Sequence, residues 1–290
     1  MKKLVERIII FIIGVPAVAA LVLFLPFMNN LASNIIVIIF SGIGAVEFSS
    51  MLVKKQIKIS MIESFIFGSL TPLALTLFIS LNFSVWIIPA FIMCGSLWAL
   101  LSRVFSRSTE IENIMNQIGG SFALLVYPGF FMCWIVFMSG WGNPAAILLF
   151  LCITFGNDSL AWLFGSIFGE KNRGIVAVSP NKSAAGFIGG ILGSVIVAAG
   201  AALLFPEIFP KFAEHGIQKS SLAGFACLLG ILTSIAASLG DLAESAMKRS
   251  CDFKDSGNLM LGRGGVLDSI DSVAAAAPVF YLLFTIFFQC

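Results

Sequence analysis

Charge is what this chain has least of: 11% of its 290 residues are Asp, Glu, Lys or Arg, against 59% hydrophobic, and the mean hydropathy is +1.02. That balance speaks against a water-soluble fold, which needs far more polar surface. Histidine is reduced to one copy, His215, in a loop between apolar runs, which gives it a surface role rather than a catalytic one. The six cysteines (Cys94, Cys133, Cys152, Cys227, Cys251 and Cys290) lack metal-type pairing and mostly lie inside apolar runs, so they read as packing residues. Internal repeats, a soluble domain and low-complexity tracts are absent as well. The net charge of +2 comes from basic residues spread along the chain, without the clustered patch that nucleic acid requires.

What the chain has instead is a succession of apolar runs, each close to the roughly 20 residues that span a bilayer core. They fall near 7–26, 31–52, 61–80, 84–102, 119–140, 144–168, 184–205, 221–240 and 272–289. In hydrocarbon every backbone polar group needs an internal partner, so runs of this length form helices; membrane strands would alternate and be half as long. The expected fold class is therefore all-α, a polytopic transmembrane protein with about nine membrane helices. Lys2 and Lys3 ahead of an apolar stretch imitate a signal peptide, but the stretch runs unbroken to Phe27, which predicts an uncleaved first helix. A cytoplasmic N-terminus leaves Lys211 and Lys219 as the external ones among 17 basic residues, a strong positive-inside bias. The expected location is the cell (inner) membrane, with the loops at 170–183 and 258–271 and the segment from Gly240 to Gly257 facing the cytoplasm. Residues 1–140 read as transmembrane scaffold and 141–290 as a catalytic transmembrane region with a cytoplasm-facing polar site, in one continuous membrane domain.

Four polar sites interrupt the second half. Asp158 lies inside a span, where a carboxylate costs about 2.5–3.5 kcal/mol on insertion scales, so Asn157, Asp158 and Ser159 are expected to face a protein interior or a wet cavity. An interhelical hydrogen bond is the alternative, with Gly165 and Gly169 allowing close packing. Glu47, in the second span, has no comparable neighbours and reads as structural. In SPNKSAAGFIGG, Ser179 is predicted to cap a helix with Pro180 at its first position, leaving first-turn N–H groups and the Lys182 ammonium as an anion site; ordinary capping fits the same residues. In GDLAESAMKRSCDFKDSG, Asp241, Glu244, Ser245, Lys248, Asp252 and Asp255 follow spacings of three or four, which predicts one polar stripe on a helix stopping near Gly257. A solvated face stitched by ion pairs has the same pattern, yet Asp241 and Glu244 sit where the apolar run ends, near membrane depth. Two acids there suit a divalent cation, and Lys248 and Arg249 after them suit phosphate oxygens.

The fourth site is LGRGGVLDSIDS, where Gly262, Gly264 and Gly265 allow close backbone approach, Arg263 adds a cation, and Asp268 and Asp271 open the last span on one helical face. Capping accounts for one of these acids. Mg2+ takes one or two protein carboxylates and completes its octahedron with water and substrate phosphates, a pair that Asp241 and Asp268 can supply. Together the four sites predict a metal-dependent reaction on a phosphate at the bilayer surface, where one substrate can be lipid.

GDLAESAMKRSCDFKDSGNLMLGRGGVLDSIDS resembles the signature of the phosphatidate cytidylyltransferases: GDLxES, then KR, then KD, then a glycine loop and two Asp. NDSLAWLFGSIFG is similar to that family's Asp-containing membrane segment and SPNKSAAGFIGG to its Ser-Pro-x-Lys loop, so the likeness covers 157–272. It implies transfer of CMP from CTP to phosphatidic acid, giving CDP-diacylglycerol and pyrophosphate, by a protein of about nine membrane helices that is frequently a homodimer. It also implies Asp241 and Asp268 as carboxylate ligands of Mg2+, with K+ as a candidate second cation, and Ser179, Pro180 and Lys182 as the nucleotide-side loop. With the residue chemistry this predicts Asp241, Asp268 and Lys248 as the catalytic set, with Lys182, Lys248 and Arg249 neutralising oxygens around the α-phosphorus. Asp255 and Asp271 then bind a second cation or orient the bases, Asp158 lines the cavity floor, and Glu244 and Ser245 join the substrate-binding face. Three positions depart from the family pattern: Arg263 stands where His is usual, Ser269 where Arg is usual, and Ala185 near a usual Glu. The competing readings are a CTP-dependent polyprenol or lipid kinase and a transporter, and a transporter leaves the rim of charged residues beside a glycine loop unexplained.

Overall fold

The computed structural model describes residues 14–105, 111–211, 219–260 and 264–289, and among these it contains helices and no β-strand. The α-helices are α1 (Val15–Phe24), α2 (Phe27–Leu52), α3 (Met61–Leu81), α4 (Ile87–Val104), α5 (Ile114–Leu124), α6 (Phe131–Ser139), α7 (Pro144–Phe168), α8 (Ala184–Leu204), α9 (Lys219–Ser250) and α10 (Leu267–Phe284). Counting the π-helical turns that join α5 to α6 and extend α10, eight stretches among the described residues are long and apolar enough to cross a membrane. The chain is a multi-pass membrane protein. The expected first span, 7–26, begins outside the described residues, and α1 is its described part.

Local chemistry sets the helix ends. Met28, Asn29 and Asn30 take positive φ at 50°, 53° and 56°, so the regular part of α2 starts at residue 31, where the apolar run begins. Asn tolerates that conformation, and both amides are used: Asn29 Nδ2 donates to the Ile79 carbonyl at 2.7 Å and Asn30 Nδ2 to Val22 at 2.8 Å. Ser60 caps α3 by accepting from the Glu63 N–H at 3.2 Å, and Asn143 caps α7, with Pro144 at its first position, by accepting from Ala146 at 3.2 Å.

One compact unit comprises Met1–Gly142 with Met247–Ile270. Its α2 and α3 approach closely enough for Ser41 Oγ to donate to the Gly68 carbonyl at 2.6 Å. Asn34 Nδ2 ties three helices together through Ser80 Oγ at 3.1 Å and Ser139 Oγ at 3.0 Å, which satisfies a polar group that hydrocarbon would leave unpaired. Arg103 near the end of α4 donates to Glu63 Oε1 at 2.7 Å and to Ser121 Oγ at 3.2 Å, with the two charged side chains 8% and 14% exposed. Breaking one side of such a buried pair strands the other charge. Glu63→Gln is therefore expected to destabilise the protein by about 2–3 kcal/mol and to lower its thermal midpoint in detergent, read by the unfolding of the purified protein.

The second unit comprises Asn143–Ala246 with Asp271–Cys290. Its α7 and α8 cross at small residues: a Cβ on Gly193 would stand 2.5 Å from the Gly156 carbonyl oxygen, so the two backbones touch. Gly165, singled out in the sequence for close packing, meets the start of α8, where its Cβ position lies 3.3 Å from Ser183 Oγ and 3.7 Å from Gly186 Cα. Phe150, Phe209, Phe280, Phe284 and Phe288 form a fully buried aromatic core in this unit, with Phe209 and Phe288 ring centroids 4.7 Å apart.

Candidate active site

Each unit carries one group of the polar side chains that the sequence singled out. In the first unit the group is built around the start of α10. The backbone N–H groups of a helix's first turn have no intrahelical acceptor. Here Gly265 N donates to Asp268 Oδ2 at 2.7 Å, Val266 N and Leu267 N donate to Glu47 Oε1 and Oε2 at 3.0 and 2.8 Å, and Asp268 N donates to Ser256 Oγ at 3.3 Å. Ser256 N also donates to Asp268 Oδ2 at 2.8 Å, and Ser256 Oγ lies 2.9 Å from that oxygen and 3.2 Å from Glu47 Oε2. The other Asp268 oxygen, Oδ1, receives Lys248 Nζ at 2.5 Å, in a pair whose side chains are 11% and 8% exposed.

The glycines of this loop make room for the protein's own carboxylates. Gly264 has φ +107°, and a Cβ there would lie 2.5 Å from Asp268 Oδ2; one on Gly257 would lie 2.5 Å from Glu47 Oε1; one on Gly265 would run into Ser256 Oγ and Glu47 Oε2. Gly265→Ala is expected to cost about 1–3 kcal/mol by overpacking and to speed amide hydrogen exchange at 264–268, measured by mass spectrometry in detergent.

In the second unit the face of α9 follows the predicted spacing. Asp241, Glu244 and Ser245 lie on one side, with Lys248 one turn further along the same helix. Glu244 is fully buried. Asp241 Oδ2 pairs with Lys182 Nζ at 2.6 Å, with side chains 40% and 23% exposed, and Ser245 Oγ stands 3.5 Å from Asp241 Oδ1. The Lys182 ammonium also lies 6.0 Å from the centre of the Phe187 ring. Asp271, buried at 6% exposure, is within electrostatic reach of Asp241, Glu244 and Asp158, so acids from α7, α9 and α10 converge in this unit. Asp158 is half-buried and accepts from Asn157 Nδ2 at 3.2 Å. Asn157 makes an interhelical bond, its Oδ1 accepting from Ser234 Oγ at 2.6 Å. Ser159 is exposed, against expectation, because successive helical residues point about 100° apart and three in a row cannot share a face.

Several other expectations are corrected. Ser179 does not cap a helix: its carbonyl accepts from Lys182 N at 3.1 Å, a turn with Pro180 at the position where a fixed φ is favoured. Ser183 is the cap of α8, accepting from Gly186 N at 3.1 Å, and Asn172 Oδ1 takes Ala185 N at 3.2 Å. Side chains thus occupy two of the first-turn donors, those of Ala185 and Gly186, and the Lys182 ammonium pairs with Asp241. Helix α9 stops at Ser250, seven residues before Gly257. Phe253 N donates to the Lys248 carbonyl at 2.9 Å and Asp252 N to the Arg249 carbonyl at 3.2 Å, with Asp252 at φ +61°, a Schellman ending. Asp252 and Asp255 therefore leave the helical stripe and are exposed; Asp255 borders the glycine loop, its Cβ 3.3 Å from the Cβ position of Gly264. Arg249 is exposed and donates to the Phe253 carbonyl at 3.2 Å. Ser269 Oγ donates to the Gly265 carbonyl at 3.2 Å, and Arg263 lies outside the described residues.

Sequence reasoning undervalued Glu47 and passed over Ser256. The insertion cost that drew attention to Asp158 applies equally to Glu47, but its partners lie 209 to 220 residues away. Among the described residues no three His, Cys, Asp or Glu side chains are arranged to cage a metal. The donors present fit Mg2+ carried on phosphates, which needs one or two carboxylates: Asp241 is 40% exposed, and both Asp241 and Asp268 face a lysine ammonium able to take a phosphate oxygen.

Fold and site together define a multi-pass membrane protein in which two of the acids, Asp241 and Asp268, are paired with lysines. A model described as the cytidylyltransferase family matches residues 5–287. The phosphatidate cytidylyltransferase of Staphylococcus aureus (strain COL) is 30% identical over 271 residues, 92% of this chain and 96% of that protein. The protein of the same name from Bacillus subtilis (strain 168) is 35% identical over 141 residues, 48% of each chain, and that from Thermotoga maritima is 33% identical over 185 residues, 63% of this chain and 66% of the relative. The chain belongs to the cytidylyltransferase family.

Proposed function

We propose that this protein transfers CMP from CTP to phosphatidic acid, giving CDP-diacylglycerol and pyrophosphate in phospholipid biosynthesis. Family membership and relatives named for that activity over most of the chain support the reading. The observation that carries it is the pairing of the two acids expected to hold the metal with lysines, Asp241 with Lys182 at 2.6 Å and Asp268 with Lys248 at 2.5 Å. Lysine–carboxylate pairs of this kind exchange partners when a polyanion arrives with its own cation.

A phosphatidate oxygen is already anionic, so it bonds to the α-phosphorus of CTP without a base, while the bond from that phosphorus to the bridging oxygen breaks and the electron pair leaves on pyrophosphate. The barrier lies in bringing two polyanions together. Lys182 and Lys248 neutralise phosphoryl oxygens, and the Glu47–Ser256–Asp268 network fixes Asp268 beforehand. Mg2+, with Asp241 and Asp268 as its proposed carboxylate ligands, supplies charge neutralisation on the leaving pyrophosphate when bound. Asp271, Asp158 and Glu244 remain proposed as the acidic lining, with K+ as a second cation. A homodimer in the inner membrane, with its N-terminus and reacting groups on the cytoplasmic side, completes the reading.

The test is CTP labelled at the α-phosphate, given to purified protein with phosphatidic acid, with and without Mg2+. Label in the lipid and release of pyrophosphate are expected. Release of CDP with an unlabelled, newly phosphorylated lipid would replace this reading with a lipid kinase.

A further inference from the structure

We infer that Glu47, in the last third of the sequence's second apolar span, is a positioning residue for cytidylyl transfer: it holds the start of α10 so that Asp268 stays available to Lys248. The inference rests on the function proposed above.

An acid inside an apolar span is costly to insert, so its partners account for its presence. The Glu47 partners are the Val266 and Leu267 N–H groups at 3.0 and 2.8 Å and Ser256 Oγ at 3.2 Å. A carboxylate at a helix N-terminus is favoured both by the unsatisfied donors and by the helix dipole. The consequence concerns Asp268. An aspartate in the first turn of a helix tends to cap the N–H groups around it. Asp268 already takes Gly265 N and Ser256 N on Oδ2, while Oδ1 is given to Lys248. With Glu47 in place, the N–H groups of residues 266 and 267 have acceptors of their own and do not compete for Oδ1. Without it, Asp268, already bonded to Gly265 N beside them, is a carboxylate that can turn onto them at the expense of the Lys248 pair. The glycines agree with this arrangement, because Cβ atoms at Gly257 and Gly265 would collide with the Glu47 carboxylate itself. Glu47 need not touch substrate; it acts through Asp268.

The experiment compares wild type with Glu47→Gln, Glu47→Asp and Glu63→Gln, purified in detergent with phosphatidic acid, recording kcat, KM for CTP, thermal midpoint and amide exchange at 264–268. Glu47→Gln keeps the length but loses the charge and one acceptor. A fall in kcat of about 10- to 100-fold is expected, the usual range for a residue supporting a reacting carboxylate, with KM for CTP changed by less than about threefold. Glu47→Asp retains the charge on a shorter arm and should recover part of kcat, with exchange at 264–268 between that of wild type and Glu47→Gln. Glu63→Gln breaks the Arg103 pair in the same unit and should lower the thermal midpoint with kcat unchanged. A kcat within about twofold of wild type in Glu47→Gln, or, if the glutamine variant does not fold, in a Glu47→Asp whose exchange at 264–268 is faster than that of wild type, overturns the inference while leaving the proposed function standing. Equal kcat losses in Glu47→Gln and Glu63→Gln would reduce Glu47 to general stability and overturn it too. A wild type that forms no CDP-diacylglycerol overturns the proposed function, and this inference with it.

Discussion

Asp268→Asn is expected to lower CMP transfer to phosphatidic acid by about 1,000-fold or more, the largest loss from a single change of one atom type in this protein. In the wild type the contacts of that carboxylate are with donors: Ser256 N and Gly265 N at Oδ2, Lys248 at Oδ1, and at Oδ2 also the single Ser256 O–H, for which Glu47 Oε2 competes. An asparagine offers one acceptor oxygen and one NH2 group. Whichever way it turns, the NH2 faces donors, either the lysine ammonium or the loop, and the buried Lys248 loses the ion pair with residue 268. Breaking one side of a buried pair costs about 3–5 kcal/mol, so part of the loss is structural. Adding Lys248→Met to Asp268→Asn separates the two parts, since it removes the lysine charge while leaving the reaction without both groups. The double variant should regain most of the thermal stability and none of the transfer, measured by detergent unfolding and by label appearing in CDP-diacylglycerol. Transfer by Asp268→Asn within about threefold of wild type would take Asp268 out of the mechanism.

The spans were legible because length and hydropathy are local properties. Eight of the expected spans coincide with long apolar helices; those expected at 119–140 and 221–240 extend further, to Ile111 and to Ser250, and the shift at α2 has its cause in Asn29 and Asn30. Helix ends beyond the apolar runs were less legible, since they depend on competition among plausible caps. Ser179, before Pro180, and Ser183, before Ala184, are both plausible caps, and the 179–182 turn, closed by Lys182 N on the Ser179 carbonyl with Pro180 inside it, leaves the cap to Ser183. Likewise Asp252 could continue the polar stripe by spacing, yet it ends α9 in the left-handed region. The acids of the signature motif were readable as a group because they lie within 31 residues, Asp241 to Asp271. Glu47 was not, because what distinguishes it is a set of hydrogen bonds to backbone atoms more than 200 residues later. Nor was the role of the glycine loop: its backbone closes over two carboxylates of the protein, a fit that spacing does not encode.

The pair of Asp241 and Lys182 should show the opposite balance between stability and activity. Its side chains are 40% and 23% exposed, and an ion pair that open to water contributes about 0–1 kcal/mol to folding. Stability therefore gives little reason for the pair, and its loss should leave the fold almost unmoved. Asp241→Asn is expected to shift the thermal midpoint by no more than about 2 °C while lowering CMP transfer about 100-fold or more, because a carboxylate needed only when phosphates and their cation arrive acts on the barrier. The losses from the two partners should differ in kind. Under the proposed function Lys182 meets the nucleotide before and during reaction, so Lys182→Met should raise KM for CTP together with a fall in kcat. Asp241→Asn should instead raise the Mg2+ concentration needed for half-maximal rate. If the two residues mattered solely to each other, Asp241→Asn with Lys182→Met would restore transfer, as removing both ends of a dispensable surface pair does. Losses that compound in the double variant are the expected result; recovery of transfer, or an unchanged Mg2+ requirement in Asp241→Asn, would remove this acid from cation binding.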